Sequence, residues 1–457
     1  MRKEKDALGF IDVKFDAYYG SETQRTINCF KISGLKVDLV LVYNYVKLKK
    51  ACAIANMKSG KLDSKKGTAI IKACEKILLG NFDDEFILDP FQSGAGTSLN
   101  MNLNEVIANI AIEELGGKKG QYDIVHPNDN VNMSQSTNDT YPTAVNMACY
   151  ELVSDMLVKK LLILNKTLQK KSNEFSNIIK IGRTHLQDAV PMKLGDEFDA
   201  YSGAIENCID SLENSLRSLL EVPLGGTAVG TGINTGKLYR KTVITELRNV
   251  TGKPFALQKH IFTGMSFRQE QLSLAYALSN CSVSLTKIAN DLRLLVSGPR
   301  AGLFEITVPA VLPGSSIMPG KINPSIVEML NMVCYRVMGS AKTIELAVSG
   351  AQLELNVFTP VISYELMSSI KLLSNAIDVF DRLCVAGIKA NEKNISKNLE
   401  MDLELATALN QYIGYAKAAE LANIALKEGK SIKQVCIENN ILDRKTLDKI
   451  LDPKNET

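Results

Sequence analysis

The sequence predicts a mainly α protein of three domains, 1–141, 142–390 and 391–457, organised around a central bundle of long helices. Three observations predict it. Residues 143–181 and 265–297 contain neither Gly nor Pro, the residues that most readily interrupt a helix. Within 265–297, Leu274, Leu278, Cys281, Leu285, Ile288, Leu292 and Leu295 step 4-3-4-3-4-3, the seam of near-parallel helix packing. Nothing in the first 140 residues alternates in polarity well enough to demand a large sheet. With 457 residues, 45% of them apolar, the chain has more material than one core holds, so two or three domains are expected.

In the first domain, helical runs at 37–57 and 65–79 are separated by Gly- and Asp-rich turns. Asp16-Ala17-Tyr18-Tyr19-Gly20 reads by itself as aromatic packing before a turn. Ser93-Gly94-Ala95-Gly96-Thr97-Ser98 is a glycine loop running into a helix. It lacks the Lys and the preceding strand of a P-loop, but its N–H groups and the Thr97 and Ser98 hydroxyls suit an anion. The stretch from His126 to Asp139, which includes Ser136, Thr137 and Asn138, has the small polar composition of an exposed loop.

Pro142 marks the first boundary. Beyond it Val153, Leu157, Leu161, Leu164 and Leu168 keep helical spacing, as do Ile205, Ile209, Leu212, Leu216 and Leu219. Helices of some 20–33 residues are roughly 30–50 Å long. Rods of that length are not expected to bury their stripes against one short neighbour, so the bundle should be completed by other copies of the chain. Between the rods, Gly182-Arg183-Thr184-His185-Leu186-Gln187-Asp188-Ala189-Val190-Pro191 breaks the helical pattern and places one of only three histidines beside Thr, Arg and Asp. Residues 225–232 form a glycine-rich turn without the βαβ frame of a dinucleotide site.

The densest chemistry lies in Gly314-Ser315-Ser316-Ile317-Met318-Pro319-Gly320-Lys321-Ile322-Asn323-Pro324. Two Gly and two Pro disfavour regular structure, and between them stand two hydroxyls, an ammonium and a carboxamide, groups able to hold a carboxylate and move a proton beside it. A helical run at 327–347 follows, and a helix N-terminus favours an anion. From about residue 390 the chain is Lys/Glu-rich with shorter helical patterns, a small C-terminal domain.

Charge and composition exclude several classes. Lys and Arg total 53 against 50 Asp and Glu, a net +3 without the dense basic balance of a nucleic-acid binder. No run of 18 apolar residues and no secretory pattern occurs, so neither membrane nor export is indicated and the cytoplasm is the expected compartment. Nine scattered cysteines and three histidines show no zinc spacing, so no metal is expected, and with no dinucleotide frame and no Ala-Ser-Gly triplet no cofactor is expected either.

The 314–324 loop closely resembles the Gly-Ser-Ser-x-Met-Pro-x-Lys-x-Asn-Pro segment of the fumarase/aspartase superfamily, with every fixed position met. Segments 16–20, 93–98, 182–191, 297–303 and 352–357 resemble further motifs of that family. Ser93 and Ala351 are departures, each standing where Gly is usual. Residues 16–20, 93–98, Thr137 and 352–357 are more like the aspartase branch, whereas His126-Pro-Asn-Asp is more like fumarases. Asn130 stands where both branches usually carry His, which puts a second anion site there in question. The resemblance implies a helical homotetramer with active sites shared between chains, a multi-helix core, and a small dicarboxylate substrate. It implies reversible elimination of ammonia from L-aspartate to give fumarate, with water elimination from L-malate as the alternative. A non-catalytic helical assembly protein is a third reading, opposed by the intact Ser315, Lys321, Asn323 and His185.

By the same resemblance Ser315 is the general base, its alkoxide favoured by Lys321 and loop N–H groups. Thr97, Ser136, Thr137 and Ser316 hold the carboxylate that becomes a dianion. Lys321 and Asn323 anchor the other carboxylate, and Asn138, Thr184 and His185 surround the amino group. Glu328 pairs with His185 and fixes its tautomer.

Overall fold

The fold is taken from a computed structural model that describes residues 1–455 and 457, and all of their side chains except that of Lys237. Helix dominates: among the described residues the only sheets are four two-stranded ones. The chain divides into two compact units, each assembled from three separate stretches.

The first unit comprises Met1–Lys159, Asp210–Ser282 and Tyr335–Leu373. Its axis is the helix Leu39–Lys58, capped where Asp38 accepts from the Val40 N–H. The helices Ser64–Leu78, Thr137–Leu152 and Lys237–Thr251 pack around it. The helix Thr97–Glu114 is buried continuously from Ser98 to Ile112. It shows no single apolar stripe, and its buried residues include Asn100, Asn102, Asn104, Glu105 and Asn109.

The second unit comprises Lys160–Ile209, Val283–Cys334 and Ser374–Thr457. Its helix Val158–Glu174 stops well before Gly182, because Ile179 and Ile181 go instead into an extended hairpin, Ile179–Thr184 against Gln187–Lys193. The C-terminal helices Tyr415–Glu428, Ile432–Glu438 and Arg444–Ile450 enclose a core of their own around Leu409, Leu421, Val435, Cys436 and Leu447.

The predicted long rods are present as Leu194–Leu219, Gln269–Leu295 and Ser325–Ser349. One expectation is corrected. The seam from Leu274 to Leu295 is at most 6% exposed within a single chain, so it needs no second copy to cover it. The chain folds several rods of its own against one another. Apolar surface remains on other faces of these rods, with Tyr276 47%, Val283 52%, Met332 63% and Leu346 62% exposed. Among the described residues no helix is long and apolar enough to cross a membrane.

Candidate active site

In the first unit, four of the sequence segments singled out above meet. The Ala95 N–H donates to the Val357 carbonyl at 2.7 Å, joining the glycine loop to the 352–357 segment. Gly96, at φ +83°, lies so close to the Tyr141 ring that a Cβ there would come within 2.1 Å of it. Only glycine fits, and it sets the N-terminus of Thr97–Glu114 against the helix Thr137–Leu152. The second helix begins with a capping box formed by Ser136 and Asp139. Asp139 has no exposure, and its Oδ2 accepts from the N–H groups of Gly225 at 2.8 Å and Thr227 at 3.1 Å, bringing in the 225–232 turn. Burial raises the Asp139 carboxyl to about 6, opposed by the N–H groups of Ser136, Thr227 and Gly225 that hold its charged form.

Two helix N-termini with Thr97, Ser136 and Thr137 in their first turns make a cradle of hydroxyls and N–H groups suited to a carboxylate. Asn138 donates its Nδ2 to the Ala228 carbonyl at 2.8 Å, which leaves Oδ1 to accept from an ammonium. Ser98 is placed differently from Thr97: it is buried, and its Oγ accepts from Thr26 Oγ1. Beside the cradle is a cleft of about 570 Å³ whose lining includes Asn132, Gln135, Ser136 and Thr227.

Two buried cations back this cradle, and neither was singled out from sequence. Lys49 has no exposed surface, and its Nζ donates to Asn100 Oδ1 at 2.7 Å, Asn132 Oδ1 at 2.9 Å and Gln135 Oε1 at 2.9 Å. Burial lowers its pKa to about 7. Arg268 is 1% exposed, and its Nη2 lies 3.4 Å from the Asn138 carbonyl. That carbonyl lacks its helical partner because Pro142, four residues on, has no N–H. The only sequence signal for these cations was charge inside apolar or helix-forming runs.

The His126 segment closes on itself. His126 Nδ1 accepts from the N–H groups of Asn128 and Asp129, both at 3.2 Å, and Asn130 Oδ1 accepts from the His126 N–H. Both N–H groups that would greet an anion at this turn are therefore engaged internally.

The second unit holds the remaining predicted residues. Met318-Pro319-Gly320-Lys321 is a turn with Gly320 at φ +79° and the Lys321 N–H donating to the Met318 carbonyl. The loop is pinched at its neck, where Asn323 Nδ2 donates to the Gly314 carbonyl at 2.7 Å and a Cβ on Gly314 would lie 2.0 Å from the Lys321 carbonyl. Ser315 Oγ accepts from the N–H groups of Ile317 and Met318. Lys321 Nζ bonds Asn323 Oδ1 at 2.8 Å rather than Ser315. Lys321, Asn323 and Glu328, together with Asn290 and Arg293, line a cleft of about 1020 Å³. Arg293 is a second cation in this cleft that sequence reading passed over.

Thr184 and His185 stand exposed at the tip of the hairpin. Among the described residues, His185 makes no ion pair with Glu328 of its own chain; the only histidine ion pair is that of His126 with Asp129. Within the first unit these contacts bring Thr97, Ser136, Thr137 and Asn138 to one cradle; within the second, Thr184 and His185 share the hairpin tip, and Ser315, Ser316, Lys321, Asn323 and Glu328 share the 314–324 loop and the helix start after it. Among the described residues no cluster of His, Cys, Asp and Glu is arranged to hold a metal ion.

A family model described as Lyase matches residues 9–339, and one described as Fumarase C C-terminus matches 405–455. An aspartate ammonia-lyase from Helicobacter pylori is 44% identical over 457 residues, spanning 100% of this chain and 97% of the relative. A class II fumarate hydratase from Thermosynechococcus vestitus is also 44% identical, over 448 residues, 98% of this chain and 96% of the relative. The crystal structure of a fumarate lyase:delta crystallin from Brucella melitensis matches with a TM-score of 0.96 at 44% identity, covering 99% of this chain and 98% of that one.

Proposed function

The chain belongs to the fumarase/aspartase family of lyases, and from that membership we propose that it catalyses the reversible elimination of ammonia from L-aspartate to give fumarate. The observation that carries this reading is the meeting of the glycine loop, the helix that begins at Thr137 and the 352–357 segment, the stretches most like the aspartase branch, around one cradle of hydroxyls and N–H groups. Identity to whole relatives does not separate the branches, since an aspartase and a fumarase each match at 44%.

In the proposed mechanism Thr97, Ser136, Thr137 and Ser316 hold the carboxylate next to the carbon that loses its proton. Ser315 Oγ takes that proton, and the electron pair of the broken C–H bond moves onto the held carboxylate as a dianion. The pair then returns to form the C=C bond while the C–N bond breaks and ammonia leaves, flanked by Asn138, Thr184 and His185. Lys321 and Asn323 anchor the other carboxylate. The two loop N–H groups on Ser315 Oγ support this role, because donors fixed on an oxygen favour its anionic form. No metal or cofactor enters the reading.

Membership of this family supports a homotetramer in which different chains complete one site. In that assembly Glu328 of one chain would reach His185 of another. The exposed Tyr276, Val283, Met332 and Leu346 offer the surface for it. A cytoplasmic location completes the proposal, in keeping with nine cysteines at no paired spacing.

A second reading, water elimination from L-malate, is favoured by the His126-Pro-Asn-Asp segment and the fumarate hydratase relative. Following fumarate absorbance from L-aspartate and from L-malate tests both. Turnover of L-malate with none of L-aspartate would overturn the first reading.

A further inference from the structure

The strands Ile179–Thr184 and Gln187–Lys193 pair in a register that sets Thr184 opposite Gln187, leaving His185 and Leu186 as a two-residue turn. Both have positive φ, +56° and +59°. Turns of this shape normally take Asn-Gly, and a side chain with a Cβ in the left-handed region carries a conformational cost. The tip has no packing of its own to offset that cost, since Leu186 is 69% exposed. Strained backbone of this kind persists only where its surroundings over-determine it.

The surroundings here are ionic. Glu305, 1% exposed, accepts from Arg183 Nη1 on Oε1 at 2.7 Å and is ion-paired, without a hydrogen bond, to Lys180 Nζ 2.8 Å from Oε2, while Lys180 donates to Glu197 at 2.6 Å. Residues three apart on a regular strand face opposite ways. Lys180 and Arg183 nonetheless reach one carboxylate, because the register shifts between Ile181 and Arg183. Gly182 permits the shift, as a Cβ there would lie 2.9 Å from the Val190 carbonyl. Arg183 Nε also stands 3.5 Å from Asp188 Oδ1 on the returning strand, so it touches both sides of the turn. Lys180 and Arg183 answer the charges of Glu305 and Glu197 in the hairpin's base, with the more exposed Asp188 as a third carboxylate, and loss of either cation leaves the buried Glu305 undercompensated.

We propose that the Arg183–Glu305 pair is a positioning device, holding the strained His185-Leu186 turn so that Thr184 and His185 stay aimed at the amino group of the substrate. The proposal rests on the roles given to Thr184 and His185 under the preceding heading.

The test uses the full chain with L-aspartate, comparing Leu186→Gly, Arg183→Gln, Arg183→Lys and His185→Ala by kcat, KM and Tm. Leu186→Gly relieves strain, so its Tm should rise by a few degrees. Its kcat should nevertheless fall at least about tenfold with KM changed less than about threefold, because an aimed group has been loosened. Opposite movement of stability and turnover is a signature that plain structural support does not give. Arg183→Gln should lose kcat in the same way, with Arg183→Lys recovering part of it. Should Arg183→Gln fail to fold, Arg183→Lys, which keeps the charge but not the guanidinium geometry, decides by its kcat. Low turnover in His185→Ala with wild-type kcat in a folded Arg183→Gln overturns the positioning role alone. Wild-type turnover in His185→Ala overturns the role of His185 and the proposal with it.

Discussion

The Met318 N–H donates to Ser315 Oγ at 2.9 Å, and the Ile317 N–H reaches the same oxygen at 3.3 Å. Both donors are backbone groups fixed by the turn that follows, so they meet an alkoxide without rearrangement. Ser315→Ala is therefore expected to lower kcat by at least about 10²-fold with much smaller change in KM, the loss typical of a missing general base. A folded variant with near-normal turnover in the fumarate absorbance assay would remove Ser315 as the base.

Lys321→Met should act on binding instead. Lys321 Nζ is held by Asn323 Oδ1 in a cleft it shares with Arg293, and its charge is the proposed partner of the carboxylate remote from the reacting carbon. Inhibition by fumarate-like dicarboxylates should weaken at least about tenfold, along with a rise in KM for L-aspartate, a loss of about 1.4 kcal/mol or more. Unchanged inhibition constants would show that Arg293 or another group carries the anchor.

Much of this site was legible as motifs and little of it as assembly. The loops at 93–98, 225–232 and 314–324 announce themselves by Gly and Pro, whose backbone demands are local. The meeting of the first two is tertiary. Lys49 sits in a helical run with Lys47 and Lys50, which reads as a solvated face, and its acceptors lie 51, 83 and 86 residues away in sequence. The His185 hairpin was readable only as a break, because Ile179–Thr184 is too short for its alternation to stand out between long rods. The 274–295 seam was seen correctly as apolar, but its cover comes from within the chain, and helical periodicity gives a buried face without saying what buries it.

Gly96→Ala tests the cradle. The added Cβ would fall 2.1 Å from the Tyr141 ring at a φ of +83°, so strain adds to overpacking and a loss of about 2–4 kcal/mol is expected. Gly320→Ala, at φ +79° with no atom near its Cβ, should lose only about 1–2 kcal/mol. Comparing their Tm values checks the contact: equal losses would mean that Gly96 is needed for conformation alone.

Lys49 gives a prediction in pH. Its three N–H groups match three amide oxygens, which favours the charged form, while burial works against it and brings the pKa down to about 7 from an ordinary 10.5. A lowered pKa means that unfolding takes up a proton at any pH between those two values. Stability must then rise with pH across that window, by at most about 1.4 kcal/mol per pH unit, and show no dependence from this group below pH 7. Lys49→Met abolishes the slope and leaves the three amide oxygens without their donor. The margin of the wild type over Lys49→Met, measured by Tm or denaturant midpoint, should therefore widen from pH 7 to pH 9. Because Asn132 and Gln135 line the cleft beside Ser136, KM should rise in the variant as their amides turn. A margin that stays constant or narrows above pH 7 would mean that Lys49 remains charged in the folded protein.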